Sequence, residues 1–237
     1  MRLDKLLSNM GYGSRKEIKA ALKQGLVAVD GTVVRQPELP VDPDQQTVTF
    51  NGNRVVYKPY VYLMMNKPQG VLSSTEDSRG QRTAVDLVGA EFAMYDLSPA
   101  GRLDIDTEGF LLLTNDGVFI HEVITPKRHV VKEYYAELEG IAGDEDIKAF
   151  ADGITLADGT RCMEAELEIL AIDRETGTSE VLVRICEGKF HQVKRMMLAR
   201  HLKVTYLKRI AIGGVRLDES LAPGEYRELT TEENILP

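Results

Sequence analysis

The chain has few cysteines, no long apolar run and no glycine-rich phosphate loop, and each shortage removes a class of function. Of its 237 residues only Cys162 and Cys186 are cysteine. They form no Cys-x-x-Cys pair and have no histidine at metal-ligand spacing, so neither a disulfide framework nor a zinc site is expected and a reducing cytoplasm is. Apolar runs span only a few residues, and no secretory core follows Met1-Arg2-Leu3-Asp4-Lys5; neither a membrane span nor a signal peptide is expected. Gly-x-x-x-x-Gly-Lys-Ser/Thr, Gly-x-Gly-x-x-Gly and Gly-x-Ser-x-Gly are all missing, which removes the signatures of ATP binding, nicotinamide binding and serine hydrolysis. Asp104-x-Asp106-x-Glu108-Gly109 imitates the opening of a calcium loop, but Asn115 stands where that loop needs a bidentate glutamate.

What is present is an ordinary globular composition, 43% hydrophobic and 28% charged, long enough for one medium domain and a small one. The net charge of -8 argues against a nucleic-acid partner until its distribution is read. Residues 1–35 hold seven basic side chains against three acidic ones. Ser14-Arg15-Lys16-Glu17 has the form of a helix-capping box, after which Ile18, Ala21 and Leu22 make an apolar stripe. Arg15, Lys19 and Lys23 recur every four residues on the other side, with Lys16 beside them, as a basic ridge. Leu3, Leu6, Leu7 and Met10 predict a short first helix ended by Gly11 and Gly13. Asp30-Gly31, between two β-branched runs, predicts a two-residue hairpin. This αα-hairpin-plus-sheet module and its linker occupy residues 1–58, and a larger domain occupies 59–237.

In the larger domain, strands are expected at 60–65, 111–113, 134–138, 165–172, 179–185 and 204–212. Helices are expected at 84–87, 144–152 and 190–202. Without regular strand–helix alternation a doubly wound parallel sheet is disfavoured, and the prediction is an α+β domain on a mixed, mainly antiparallel sheet.

Three motifs lie in order along this domain: Asn66-Lys67-Pro68-x-Gly70; Gly101-Arg102-Leu103-Asp104-x-x-Thr107-x-Gly109 with Leu113-Thr114-Asn115-Asp116-Gly117; and Glu187-Gly188-Lys189-Phe190-His191-Gln192-Val193-Lys194-Arg195-Met196. Ahead of them, Arg2-Leu3-Asp4-Lys5-Leu6-Leu7, Ser14-Arg15 and Val29-Asp30-Gly31 resemble the small RNA-binding module named after the fourth protein of the ribosomal small subunit. Together, from Met1 to about Leu229, the chain resembles the pseudouridine synthases of the RsuA family. That resemblance implies isomerisation of a uridine to pseudouridine in ribosomal RNA, without metal or organic cofactor. His191-Gln192-Val193-Lys194 favours the small-subunit (16S) branch over enzymes acting on large-subunit (23S) rRNA. A non-catalytic rRNA-binding assembly protein is the remaining alternative, against which an intact Asp104, Tyr134 and Lys194 set argues.

The resemblance assigns Asp104 as the essential aspartate, Tyr134 as the active-site tyrosine and Lys194 as the basic partner. Arg102 is expected to fill the space left by an extruded base, Arg195 is expected at phosphate, and Lys67 at phosphate or the cleft wall. Arg15, Lys16, Lys19 and Lys23 are expected at RNA, with Lys127-Arg128 and Lys208-Arg209 as further phosphate contacts. His191 and Gln192 read as helix-start groups, Asp106 and Glu108 as turn residues. Chemically, breaking an N-glycosidic bond and rejoining uracil through carbon needs a nucleophile or charge stabiliser at the sugar, a group that moves one proton, and exclusion of water. An ammonium beside a carboxylate favours its ionised form, and a tyrosine offers a flat ring with a hydroxyl. Attack on the anomeric carbon, attack on the base ring and deprotonation of the ribose all remain open for Asp104. The expected partner is small-subunit rRNA in an assembly intermediate, engaged by a monomer with no membrane contact.

Overall fold

The computed structural model describes residues 1–236, which divide into two compact units: Met1–Val61 with Ala90–Asp96, and Tyr62–Gly89 with the chain from Leu97 onward. In the first unit, helices α1 (Leu3–Asn9) and α2 (Arg15–Lys23) accompany strands β1 (Val27–Val29), β2 (Thr32–Val33), β3 (Val48–Phe50) and β4 (Asn53–Arg54). The strands form one sheet in the order β2-β1-β3-β4. Leu3, Leu6, Leu7, Ile18, Leu22, Val27 and Val48 make its core. Ser14 and Glu17 form the full capping box, so α2 starts where its first free N–H groups find acceptors. Asp30 and Gly31 both take positive φ, 49° and 77°, the geometry of a two-residue turn whose twist matches its strands.

The second unit is built on a nine-stranded sheet. Its strands are β5 (Tyr62–Lys67), β6 (Ser98–Pro99), β7 (Glu108–Thr114), β8 (Lys132–Glu139), β9 (Glu166–Asp173), β10 (Thr178–Ile185), β11 (Lys203–Ile212), β12 (Val215–Arg216) and β13 (Tyr226–Glu228), with helices α3 (Gly117–Ile124), α4 (Asp144–Ala151) and α5 (Gln192–Ala199). The main order is β13-β5-β7-β11-β8-β10-β9. β7 runs parallel to β11, while the other pairings are antiparallel, so the sheet is mixed and mainly antiparallel as expected. β7 is buried from Gly109 to Thr114, because both faces of this central strand are covered. Phe110, Leu112, Met64 and Val123 share one core cluster with Ile212 and Ile235.

One helix is absent from the sequence expectation and one is corrected. After Thr114, Asp116 caps a helix, its Oδ1 accepting from the N–H groups of Val118 (3.0 Å) and Phe119 (3.1 Å). Of this short helix only Val123 is buried, so no apolar stripe announced it. The helix expected at 84–87 is a single 3-10 turn, Val85–Leu87. Among the described residues no helix is long and apolar enough to cross a membrane, and both cysteines are free.

One row of residues runs straight across the sheet. Lys67 pairs with Gly109, Gly109 with Arg209, Arg209 with Tyr134, and Tyr134 with Val183. Paired residues on neighbouring strands face the same side, so this row brings three polar side chains from distant sequence onto one face. Gly109 is required within it. Its φ is +100°, and a Cβ there would run into the backbone of Arg209.

Candidate active site

Asp104 sits in the loop that leads into β7. The segment is pinned from below: Ser73 Oγ donates to Leu103 O (3.0 Å) and accepts from Leu103 N–H (3.0 Å), and Thr107 N–H donates to Asp104 O (3.1 Å). Leu103 and Thr107 are buried while Asp104 is partly exposed. The carboxylate is thus held at the surface by a backbone anchored on both sides.

The helix α5 delivers the cationic partner. Val193, Met196 and Met197 bury its apolar side, which turns Lys194 toward the Asp104 loop. Lys194 Nζ lies 3.4 Å from Asp104 Oδ2 and 2.5 Å from Asp106 Oδ1. One ammonium therefore serves two carboxylates, and the tighter contact is with Asp106, a residue the sequence presented as a turn position. The hydrogen bond from Lys194 holds the Asp106 carboxyl below the usual range. On the other side of Asp104, His191 Nε2 stands 3.5 Å from Oδ1. His191 precedes α5 in a left-handed conformation, φ 47°, so the helix start itself aims the imidazole at the aspartate.

The turn before α5 is rigidly wired. Gln192, only 4% exposed, accepts from Lys189 N–H (2.8 Å) and donates from Nε2 to Glu187 Oε1 (2.7 Å). Glu187 also accepts from Met163 N–H (2.9 Å) and pairs with the Lys189 ammonium. Arg195 pairs with Asp158 at 2.5 Å and donates to Phe190 O at 3.3 Å; it clamps this turn, a use that the expected phosphate contact did not include.

Tyr134 shares no hydrogen bond with Asp104 or Lys194. Its hydroxyl accepts from Arg209 Nη1 at 3.4 Å, and the Arg209 guanidinium carbon lies 5.9 Å from the ring centroid. Arg209 also donates from Nε to Phe110 O at 2.7 Å, tying Tyr134 to the strand that carries the Asp104 loop. Arg209 is 3% exposed and its Nη2 has no partner among the described residues. The expected phosphate role of Arg209 is corrected by that burial. Strand alternation carried part of the signal, since Arg209 shares a face with Leu207, which is buried, before a bulge breaks the alternation at Ala211.

Lys67 is corrected in the same way. None of its surface is exposed, and its ammonium donates to Pro68 O and Thr107 O, both at 2.9 Å. It ties β5 to the segment between Asp104 and β7, where phosphate does not reach it. Burial lowers its pKa to about 8, opposed by the nearby charges of Asp104, Asp106 and Glu108. Lys132, donating to Val123 O at 2.9 Å, is likewise lowered to about 8 by burial. Glu108, read as a turn residue, begins β7 and accepts from Tyr206 at 2.7 Å. Arg128 pairs with Glu122 at 2.5 Å.

Arg102 is exposed and has no ion pair or hydrogen bond among the described residues. In the first unit, Arg15, Lys16, Lys19 and Lys23 are all exposed and free of ion pairs among the described residues. No group of three or more His, Cys, Asp or Glu among the described residues is placed to hold a metal ion. The site thus offers a carboxylate between an ammonium and an imidazole, with an exposed guanidinium two residues away.

Comparison with known proteins gives this arrangement a family. Residues 1–46 match the S4 domain. An RNA pseudouridine synthase of Bacillus subtilis (strain 168), described as uncharacterized, is 52% identical over 98% of this chain and 96% of its own. Ribosomal small subunit pseudouridine synthase A of Escherichia coli (strain K12) is 38% identical over 98% of each chain. A crystal structure of a pseudouridylate synthase superposes with a TM-score of 0.67, at 35% identity over 98% of this chain and 97% of that one. With residues 61–199 matching the family itself, the chain belongs to the RNA pseudouridylate synthases.

Proposed function

We propose that this enzyme converts one uridine of small-subunit ribosomal RNA to pseudouridine, with Asp104 as the catalytic carboxylate. The observation that carries the reading is the setting of Asp104, partly exposed on an anchored loop and 3.4 Å from the Lys194 ammonium. In the reaction the N1–C1′ bond of the uridine breaks, a C5–C1′ bond forms, the C5 proton leaves and N1 gains a proton. Asp104 supplies the carboxylate oxygen at the reacting nucleoside, and Lys194 sets a positive charge 3.4 Å from it. Tyr134 presents its ring and hydroxyl to the base, held by Arg209. The relative's name, which specifies the small subunit, supports the choice of RNA.

The uridine leaves its stack to reach Asp104, at a cost of a few kcal/mol, and the free guanidinium of Arg102 suits the vacated space. Residues 1–58 act as an RNA-binding module through Arg15, Lys16, Lys19 and Lys23, and residues 59–237 carry catalysis. Phosphate contacts of this kind weaken steeply with salt. The enzyme works in the cytoplasm as a monomer during ribosome biogenesis, on an assembly intermediate. Pseudouridine mapping of both rRNAs from a deletion strain tests the target. Loss of one site in 16S rRNA is expected, and loss confined to 23S rRNA would overturn it.

A further inference from the structure

Phe190 is 75% exposed, the most exposed large apolar side chain among the described residues. Single exposed apolar residues are common and need no function, but three features separate this one from them. Its ring lies on the His191 imidazole, with centroids 3.8 Å apart and planes 20° apart. That imidazole in turn stands 3.5 Å from Asp104, so two stacked flat rings lead outward from the candidate catalytic carboxylate. The backbone beneath them is fixed by Gln192, Glu187 and Arg195, which holds the turn that carries the ring, and the ring itself rests on the imidazole. A turn that had only to start α5 would need no aromatic group in water.

Chemistry names the occupant. When a nucleotide is drawn out of a stacked strand, its neighbour loses a stacking partner. A flat apolar ring beside the reacting centre restores that contact for any base, because every base has a π-face. Arg102 near Asp104, exposed and without an ion pair among the described residues, supplies positive charge for the backbone of the same strand. We propose that the Phe190–His191 stack is a platform for the nucleobase adjacent to the extruded uridine, an inference that rests on the pseudouridylation reading above.

The test has two arms. In the first, pseudouridine formation is followed on a 16S rRNA fragment containing the mapped uridine, with and without an abasic residue in place of each neighbouring base. Phe190→Ala is expected to raise KM roughly ten-fold or more while changing kcat less, and Phe190→Tyr to restore it. On the abasic fragment, wild type and Phe190→Ala are expected to perform alike. In the second arm, 2-aminopurine replaces the neighbouring base and its fluorescence is read on binding to the Asp104→Asn protein. Quenching is expected, and is expected to vanish in Asp104→Asn/Phe190→Ala. Equal quenching in both proteins, or a Phe190→Ala defect of the same size on intact and abasic RNA, would overturn the proposal. If the wild-type enzyme forms no pseudouridine, the proposed function fails while the fluorescence arm still reports on stacking by itself.

Discussion

The Arg209 guanidinium sits 5.9 Å from the Tyr134 ring centroid and donates to its hydroxyl, from a position 3% exposed to solvent. A buried cation with one unpartnered nitrogen is tolerated where something over-determines it. Here the register does so, placing Arg209 directly between Gly109 and Tyr134, with the Phe110 carbonyl as a second acceptor.

Arg209→Met is therefore expected to destabilise the fold by about 1–3 kcal/mol, through two acceptors left without a donor, and to lower kcat by about tenfold or more as Tyr134 loses its anchor. Arg209→Lys should recover part of kcat. Urea unfolding together with single-turnover pseudouridine formation checks both; an unchanged kcat would separate Tyr134 from the reaction.

Lys194 holds two carboxylates, and the two can be told apart. Lys194→Met should reduce kcat by about 10²-fold, since it leaves Asp104 and Asp106 without their shared cation. Asp106→Asn should cost far less, because it releases the ammonium toward Asp104. Steady-state kinetics of both variants on 16S rRNA decide this, and equal losses would assign Asp106 a direct part.

Gly109→Ala is expected to be severely destabilising, by more than about 4 kcal/mol. The added methyl meets the Arg209 backbone at a φ of +100°, and neither strand of the parallel pair can retreat. Thermal unfolding of the variant measures it.

The buried lysines predict an alkaline gain in stability. Lys132 is lowered from 10.5 to about 8 by burial, so between those pH values the unfolded chain binds a proton that the folded one has released, and raising the pH favours the folded state. Relative to Lys132→Met, which does not titrate, the wild type should gain about 1–2 kcal/mol between pH 8 and pH 9.5. Urea unfolding of both proteins at the two pH values reads the difference.

How much of this was legible in the sequence follows from what each signal depends on. The Asp30-Gly31 turn and the Ser14–Glu17 capping box are local, and both appear as read. The mixed sheet followed from strands without alternating helices. The helix after Asp116 was not legible, since Val118, Phe119 and Ile120 stand side by side with no periodic stripe. In sequence Lys67 presents itself as a phosphate or cleft-wall residue and Arg209 as a phosphate contact, because nothing local marks either as buried. Their burial depends on β7 between them, which only the sheet order supplies. Asp104 and Lys194 were recognised in separate motifs, but the competing grip of Asp106 on Lys194 is a matter of distance that no spacing encodes.

The central claim is that Asp104 carries out the isomerisation. Release of tritium to water from 16S rRNA labelled at carbon 5 of uracil, with wild-type enzyme and with Asp104→Asn, tests it most directly. The account predicts stoichiometric release by the wild type, and RNA binding without release by the variant. Normal release by Asp104→Asn would contradict it.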